Sequence, residues 1–323
     1  MTPRASVRLS RNRTIRTAGP LSGRHLFVFG AGFCAGLAAL RARDAGARVS
    51  ATTRDPLRAA ELAEQGIGMH LFDTAASERR AGLADMLEGV TDLLISVPPG
   101  AGGCPVRAAL VSAGALRSGP GWIGYLSSTG VYGDCGGAWI DETRAPAPRT
   151  ADARARLIAE GDWAALAADG GAALDILRLS GLYGPGRRNA LDRMRSPGIR
   201  AVLRHGQVFN RIHVEDAAGA ILAAMSAPAG QRLVNVADDL PAPAHALLDH
   251  AARLLGRPPA PRVPLGEAGL PPVAAAFWAE NRRIRNDRLK ALPGFALRYP
   301  TYREGLAAIL AEERAGIATT AAE

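Results

Sequence analysis

Short apolar runs alternate with helix-like patterns through the first half of the chain. The runs predict strands at 25–29, 47–53, 68–72, 92–97, 122–127 and 174–179. Apolar positions at helical spacing predict helices at 33–45, 56–65, 78–88, 105–116 and 151–168. Several of the runs are apolar at every position, which is typical of parallel strands that are covered on both faces. This alternation predicts an α/β fold with a doubly wound parallel sheet.

The pattern changes after residue 180, where prolines cluster at 241–243, 257–264 and 271–272. Helices are predicted there at 214–226, 243–255 and 302–313. We therefore divide the chain into a sheet domain at 23–180 and a smaller C-terminal substrate lobe at 181–313. The lobe is expected to be partly interwoven with the sheet domain and to close over the open end of the sheet. Residues 1–22 and 314–323 are predicted to be tails.

Charge is concentrated at the start of the chain. The formal net charge is +9, and residues 1–24 hold six arginines and no acidic residue, which leaves +3 (nine minus six) for the rest. Lys290 is the single lysine, and aromatic residues do not alternate with basic ones as they do in single-strand binders. We therefore expect no nucleic-acid partner. The basic segment is interpreted as a disordered tail, with an organelle-targeting segment as the alternative.

Cysteine usage and hydropathy favour a cytoplasmic location. The three cysteines, Cys34, Cys104 and Cys135, have neither paired nor metal-like spacing, which is typical of free thiols in a reducing compartment. No apolar run approaches the roughly 20 residues that a membrane span requires. We expect no membrane association and no metal site, and a small molecule as the substrate.

The segment from His25 to Arg54 has the order of a dinucleotide-binding βαβ unit. Gly30 allows a tight turn, Gly32 lets the backbone approach a pyrophosphate, and Ala35 is the third small residue, which lets helix and strand pack. Phe33 opens the helix, whose first amides face the phosphates. The sequence therefore predicts a nucleotide site just beyond the first strand, in a Rossmann-type sheet.

The end of the second strand bears on the choice between NADP and NAD. Arg54 stands where an acidic residue would bind the ribose hydroxyls of NAD, and an arginine there can pair with the 2′-phosphate of NADP. Asp55 is the competing acid, but it precedes Pro56 and is interpreted as a helix cap. We favour NADP, with NAD as the alternative. The alternative that Arg54 is only a solvent-exposed surface residue stays open.

A second signature lies at Tyr125-Leu-Ser-Ser-Thr-Gly-Val-Tyr-Gly-Asp134. The chain resembles the extended and atypical branches of the short-chain dehydrogenase/reductase superfamily, which contain nucleotide-sugar epimerases and dehydratases. Further segments agree in order, at 141–143, 177–186, 211–216 and 234–238. The resemblance implies that Asp73 lies by the adenine and that Ser128 hydrogen-bonds the reacting oxygen. It also implies that the nicotinamide is lined by Ser96, Val97 and Pro98. For Ser128, satisfaction of backbone groups at the strand end is the alternative.

The sequence departs from that family at its proton-transferring pair. Active relatives carry a tyrosine and a lysine four residues apart, at the start of the helix that follows 141–142. Alignment on Glu160 puts Asp152 in the tyrosine position and Arg156 in the lysine position. Arg156 can hold a ribose or phosphate but does not readily release a proton. Asp152 is a candidate base, weakened by its arginine neighbour. Tyr132 is the remaining tyrosine that could donate a proton, with packing against the sheet end as the alternative.

Arginines also border the substrate cleft that the resemblance implies. Arg187 and Arg211 are candidates to clamp an anionic substrate, because guanidinium groups form paired hydrogen bonds with carboxylates and phosphates. Solvent-facing charge is the alternative. His213 falls in the same region, and we interpret it as a residue that supports the fold.

Two functions follow from these features. The first is an NADP-dependent oxidoreductase or epimerase/dehydratase-like enzyme that acts on a small polar or sugar-nucleotide-like substrate. The second, motivated by the missing tyrosine and lysine, is a non-catalytic NADP-binding sensor or regulatory protein. Relatives often dimerise through a four-helix contact, for which 105–116 and 151–168 are the candidate helices. Packing on the sheet accounts for them equally well.

Overall fold

The computed structural model describes residues 19–73, 82–116, 119–186 and 189–320. Most of the predicted tail at 1–22, the candidate residue Arg187 and the end of the chain after Thr320 lie outside these ranges.

A seven-stranded sheet forms the centre of the described chain, and every strand pair in it is parallel. In spatial order its members are the strands β11, β7, β5, β4, β1, β2 and β3. Their bounds are β1 His25–Phe29, β2 Arg48–Thr53, β3 Gly68–Leu71, β4 Asp92–Ile95, β5 Trp122–Ser128, β7 Ala173–Leu179 and β11 Gln231–Val236. The predicted doubly wound α/β fold is confirmed.

The strand order reverses direction beside β1. The chain runs outward through β2 and β3 and then returns to the other side of β1 to form β4. In open parallel sheets, ligands bind in the crevice beyond the carboxyl ends of the strands at such a reversal. The turn that starts at Gly30 and the segment that starts at Ser96 both begin in that crevice.

Helices cover both faces of the sheet, and β1 shows why. Leu26 and Val28 belong to one core cluster, whereas Phe27 and Phe29 belong to another on the opposite face, because successive side chains of a strand alternate. The helix bounds are α1 Phe33–Asp44, α2 Pro56–Glu64, α3 Leu83–Met86, α4 Pro105–Ser112, α5 Ala151–Gly170, α6 Ala190–Arg195, α7 Val214–Ser226, α8 Ala244–Leu254, α9 Pro272–Trp278, α10 Asp287–Lys290 and α11 Tyr302–Thr320.

The predicted elements are found, with differences at their ends. The strand predicted at 92–97 stops at Ile95, ahead of Pro98, and the helix predicted at 105–116 stops at Ser112, shortly before Gly114 with φ of 58°. The helix predicted at 302–313 continues to Thr320. The helix predicted at 78–88 begins at Leu83, and residues 74–81 lie outside the described ranges. No helix within the described residues combines the length and apolarity needed to cross a membrane.

A separate hydrophobic cluster forms beyond the carboxyl edge of the sheet. It includes Leu191 and Met194 of α6, Leu248 of α8 and Leu306 of α11. Very short strands form three parallel pairs outside the central sheet: β6 Trp139–Ile140 with β13 Arg283–Ile284, β8 Gly181–Tyr183 with β10 Arg211–His213, and β9 Ala201–Leu203 with β12 Arg262–Pro264. Strands of two or three residues are too short to show a periodic pattern, so the sequence does not reveal them. The predicted domain boundaries stay predictions.

Candidate functional site

A cavity of about 1560 Å³ lies at the carboxyl edge of the sheet and is lined by both the sheet and the C-terminal elements. The structure brings together in its wall most of the residues predicted from the sequence, namely Gly30, Gly32, Phe33, Arg54, Asp73, Ser96, Val97, Pro98, Ser128, Asp152, Arg156 and Arg211. Ala35 and Tyr132 are not in the wall.

Gly30 makes the sharp turn that ends β1. Its φ is 88°, in the left-handed region that favours glycine, and an added Cβ would lie 3.1 Å from Val97 Cγ2. Thr52 fixes this turn: its hydroxyl accepts a hydrogen bond from the Gly30 amide at 3.0 Å, and its carbonyl accepts one from the Ala31 amide at 2.8 Å. The loop therefore has one defined conformation against the sheet.

Gly32 leaves room beside the backbone where α1 begins. Its φ of −77° suits any residue, and an added Cβ would meet no protein atom within 4 Å. No side chain caps α1. The first amides of a helix lack intrahelical acceptors and favour anions. Open space beside an uncapped helix start fits a diphosphate. Ala35 lies one turn further on and is fully buried in the core.

The end of β2 separates the roles of Arg54 and Asp55. Asp55 Oδ1 accepts hydrogen bonds from the amides of Leu57 at 2.9 Å and Arg58 at 3.4 Å, which confirms the predicted cap of α2. Arg54 is exposed in the cavity wall, and its guanidinium makes no hydrogen bond or ion pair with any other described residue. The Asp55 carboxylate is thus occupied by the helix cap, and the Arg54 guanidinium is available to a ligand.

Ser128 ends β5 and pairs in register with Leu179 of β7. Its hydroxyl oxygen accepts a hydrogen bond from the Gly130 amide at 3.1 Å. That contact fulfils the alternative expectation that Ser128 satisfies the backbone. It also leaves the hydroxyl proton free to be donated, and the side chain is half-buried in the cavity wall. Ser128 can therefore bond the backbone and donate a hydrogen bond to a ligand at the same time.

Asp152 and Arg156 form an ion pair on the first turns of α5. The helix begins at a Thr150 cap, whose hydroxyl accepts from the Ala153 amide at 3.1 Å. Arg156 Nε lies 3.1 Å from Asp152 Oδ2, and Arg156 Nη1 donates to the carbonyl oxygen of Leu126 at 3.4 Å. Arg156 is thus anchored to the end of β5 and its carboxylate neighbour is already paired. The pair holds both groups in the cavity wall.

Tyr132 lies outside the cavity. Its ring is fully buried, its hydroxyl donates to Asn235 Oδ1 at 2.8 Å, and the Arg178 guanidinium lies 4.6 Å from the ring centroid. Burial raises the pKa of its phenol above the ordinary value. The structure does not bring Tyr132 to the site, and the packing alternative describes its placement. We therefore do not retain it as a proton donor.

A buried ion pair supports the helix that carries Asp152 and Arg156. Glu160 of α5 accepts two hydrogen bonds from Arg178 of β7, at 3.0 and 2.6 Å, and one from the Ser127 hydroxyl at 2.5 Å. The Glu160 and Arg178 side chains are 6% and 4% exposed. This contact joins α5 to two adjacent strands directly below Ser128.

Arg211 lies on the C-terminal side of the cavity. One guanidinium nitrogen donates to the carbonyl oxygens of Phe209 at 2.8 Å and Ala242 at 3.1 Å. Burial is the main cause that lowers its pKa to about 10. The group is nonetheless cationic near neutral pH, which keeps it available for an anionic substrate. Arg187, its predicted companion, lies outside the described residues.

His213 has a structural role. Its Nδ1 accepts a hydrogen bond from the Glu215 amide at 3.2 Å and so caps α7. The ring packs between Tyr183 and Tyr299, with centroids 5.1 and 4.2 Å away. Burial lowers its pKa to about 4, so the ring is neutral near pH 7. This agrees with the interpretation that His213 supports the fold.

Several cavity residues were missed by reasoning from the sequence. They come from β2, α6, α9 and the segments that precede β10 and β13, and they belong to no motif: Thr52, Arg193, Phe209, Trp278 and Arg282. Only tertiary packing brings these separate segments to one wall. Thr52 precedes a second threonine at the end of β2, so no signal in the sequence sets it apart from its neighbour.

Three comparisons with known proteins agree with this architecture. A family model, the NAD dependent epimerase/dehydratase family, matches residues 108–237. A functionally unknown conserved protein from Silicibacter pomeroyi is 40% identical, with a TM-score of 0.79 over 90% of this chain and 99% of that one. UDP-glucose 4-epimerase from Thermotoga maritima shares the fold, with a TM-score of 0.74 at 14% identity over 91% of this chain and 99% of that one.

Among curated proteins, the 3-diazoavenalumate denitrifying reductase of a Streptomyces species is 35% identical over 161 residues, which are 47% of this chain and 49% of that protein. The chain thus spans about half the length of the curated relatives it matches. The parallel sheet, the glycine turn at its switch point and these similarities agree. Residues 108–237 match the NAD dependent epimerase/dehydratase family, and the fold is that of solved epimerases.

Proposed function

We propose that this protein is an NADP-dependent oxidoreductase that acts on a small molecule without the tyrosine–lysine pair of its family. The observation that carries the proposal is the composition of the cavity wall. The glycine turn and Ser128 line one cavity, whereas the positions of the usual proton-transferring pair hold the Asp152–Arg156 ion pair. The wall thus contains residues that can position a cofactor and a substrate, but no tyrosine stands at the position of the family's usual acid or base.

Each residue of the wall has a defined task in this proposal. A bound nicotinamide supplies or accepts a hydride at a carbon that bears oxygen or nitrogen. The Ser128 hydroxyl holds that heteroatom by donating its free proton in a hydrogen bond. Arg156, fixed by Asp152 and the Leu126 carbonyl, holds a ribose or phosphate. Because Asp152 is already paired, a water molecule supplies or removes the proton.

The similarity to a reductase favours this proposal over a non-catalytic sensor. The Streptomyces relative is named for the reduction of 3-diazoavenalumate, and the match covers about half of each chain. The missing tyrosine and lysine motivate the sensor alternative. A sensor would bind NADPH tightly but would not turn over aldehydes, imines, carboxylic-acid substrates or sugar nucleotides. The absorbance of the nicotinamide reports such turnover.

Substitution of Ser128 tests catalysis directly. We expect Ser128→Ala to lower kcat on the best substrate of that panel by about a hundredfold, because loss of one positioned donor costs on the order of 10² to 10³ in rate. NADPH affinity is expected to stay within about twofold, and Asp152→Asn is expected to retain most of the turnover. Unchanged kcat in Ser128→Ala would remove the serine from the mechanism.

Substitution of Arg54 tests the preference for NADP. We expect Arg54→Ala to weaken NADPH binding by about ten- to a hundredfold and NADH binding by less than about threefold, because only NADPH presents a 2′-phosphate to the guanidinium. Calorimetric titration with both dinucleotides gives the two affinities. Arg48→Ala, at the opposite end of the same strand, is the matched control. Equal weakening of both dinucleotides would refute the preference.

A further inference from the structure

Two cations that form no ion pair with any described carboxylate within 4 Å face the C-terminal side of the cavity, although the charge of the buried Asp238 acts on Arg211. Arg193 on α6 and Arg211 on β10 both line the wall, and neither has a described carboxylate within 4 Å. The Arg211 side chain bonds only to backbone carbonyls, and the Arg193 side chain has no hydrogen bond with any other described residue. In the same wall Arg282 is paired with Glu280 at 2.7 Å. The guanidinium groups of Arg193 and Arg211 are therefore available to a ligand, whereas that of Arg282 is already paired.

Arg193 and Arg211 carry like charges in the wall of one cavity. Burial lowers the pKa of both, and the charge of Arg193 further lowers the pKa of Arg211. Arg193 is exposed to the cavity, whereas Arg211 is largely buried, and a buried cation facing a second cation is costly unless an anion joins them. An oxyanion that accepts hydrogen bonds from both guanidinium groups removes that cost.

An aromatic wall adjoins these cations. Phe209 and Trp278 pack edge to face, with ring centroids 4.9 Å apart at 77°, and the Arg211 guanidinium carbon lies 5.8 Å from the Phe209 centroid. Phe277 next to Trp278 is 67% exposed although it also lines the cavity. Exposed aromatic rings beside a cation are suited to a flat, apolar body that carries a negative charge.

The remaining wall on this side offers little for recognition of a sugar. It holds aliphatic side chains, namely Val202, Val208, Leu247, Leu248 and Leu270. Its polar residues Asn210, Glu280 and Arg282 already bond to protein groups. A sugar ring presents several hydroxyl groups, each of which needs a polar partner when it is buried. A ligand with an apolar body and a single anionic group has no hydroxyl groups that would need polar partners in this wall.

We propose that the C-terminal side of the cavity binds a monocarboxylate with a planar, apolar body. Its carboxylate lies between Arg193 and Arg211, and its ring lies against Phe209 and Trp278. This inference rests on the proposed function, since it places the acid beside the nicotinamide end of the dinucleotide site. It narrows the substrate from small polar molecules and sugar nucleotides to aromatic acids.

A pair of matched probes tests the inference in the full-length protein saturated with NADPH. The probes are 2-naphthoate and 2-naphthamide, which have the same planar body with and without the charge, and their binding is measured by calorimetry. We expect 2-naphthoate to bind at least about tenfold more tightly than 2-naphthamide, because charged hydrogen bonds exceed neutral ones. UDP-glucose is expected to bind more weakly than 2-naphthoate.

Substitutions assign the binding to the two arginines. Arg193→Gln is expected to weaken 2-naphthoate by about ten- to a hundredfold and to leave NADPH affinity unchanged. This variant removes no side-chain hydrogen bond or ion pair with a described residue and keeps most of the side chain, so folding is expected to be kept. Arg195→Gln is the matched control on the same helix, because Arg195 pairs with Glu313 outside the cavity. Trp278→Ala is expected to weaken 2-naphthoate by about tenfold.

Three outcomes would overturn the inference: equal affinity for the two probes, tighter binding of UDP-glucose than of 2-naphthoate, or an unaltered 2-naphthoate affinity in Arg193→Gln. Failure of the proposed function is recognised separately. In that case NADPH either does not bind or binds without turnover of any substrate, whereas a failed inference leaves both NADPH binding and turnover of another substrate class intact.

Discussion

Replacement of Gly32 by valine is expected to weaken NADPH binding by at least about a hundredfold, or about 2.7 kcal/mol. A Cβ at this position meets no protein atom within 4 Å, so the new methyl groups enter space that the proposal assigns to the diphosphate. The backbone conformation at Gly32 is extended and tolerates valine. The fold is therefore expected to survive, at a cost of up to about 1 kcal/mol for a poorer helix cap.

Titration of NADPH by its fluorescence change gives the affinity, and urea denaturation gives the stability of the same variant. Gly266→Val is the matched control, since that glycine also has open space for a Cβ and lies outside the cavity wall. Unaltered NADPH affinity in Gly32→Val would mean that no diphosphate lies against this turn. A severe loss of stability would instead show that the glycine serves folding.

Replacement of Glu160 by alanine is expected to destabilise the protein by about 3 to 5 kcal/mol, because the buried Arg178 charge is left without its carboxylate. The Ser127 hydroxyl loses its partner in the same step. Arg178 already has one buried nitrogen without a hydrogen-bond partner among the described residues, so it has little means of compensation. The free energy of unfolding, measured in urea, gives the effect.

Glu61→Ala provides the comparison for that measurement. Glu61 forms an ion pair with Arg58 at 2.9 Å on α2, and its side chain is 59% exposed. Exposed pairs contribute about 0.2 to 1 kcal/mol, so this variant should be nearly as stable as the wild type. Similar losses in the two variants would contradict the assignment of the Glu160–Arg178 pair as a buried support of α5.

The cofactor side of the cavity could be predicted because local rules determine it. An apolar run, a glycine turn and a helix start lie within thirty residues of one another, and each has its own signal. Asp55 and Thr150 cap their helices through their side chains, as residues of these types commonly do at helix starts. Such contacts connect neighbours in the sequence, so a pattern in the sequence is enough to locate them.

The C-terminal side could not be predicted for the opposite reason. Arg193, Phe209 and Trp278 come from three segments that are far apart in the chain, and their contacts depend on how short elements pack. Phe209 and Trp278 touch across a separation of 69 residues (278 minus 209). No periodicity or spacing encodes a contact of that kind. The family resemblance pointed to Arg211, but nothing in the sequence pointed to Arg193 in the same wall.

Tyr132 illustrates how an ambiguous residue was resolved. Its position four residues after Ser128 is compatible with either side of the strand end. A short 3-10 turn at Thr129–Tyr132 carries the ring into the core, where Asn235 of β11 accepts a hydrogen bond from its hydroxyl. That partner is 103 residues away. The direction of the side chain was therefore decided by a contact that the local sequence does not contain.

The dinucleotide site at the turn between β1 and α1 is the central claim of this account, and calorimetric titration of the full-length protein with NADPH tests it most directly. We predict saturable heat with one molecule bound per chain, and weaker binding of NADH. Absence of any binding heat with NADPH and NADH alike, at millimolar concentrations, would contradict the claim.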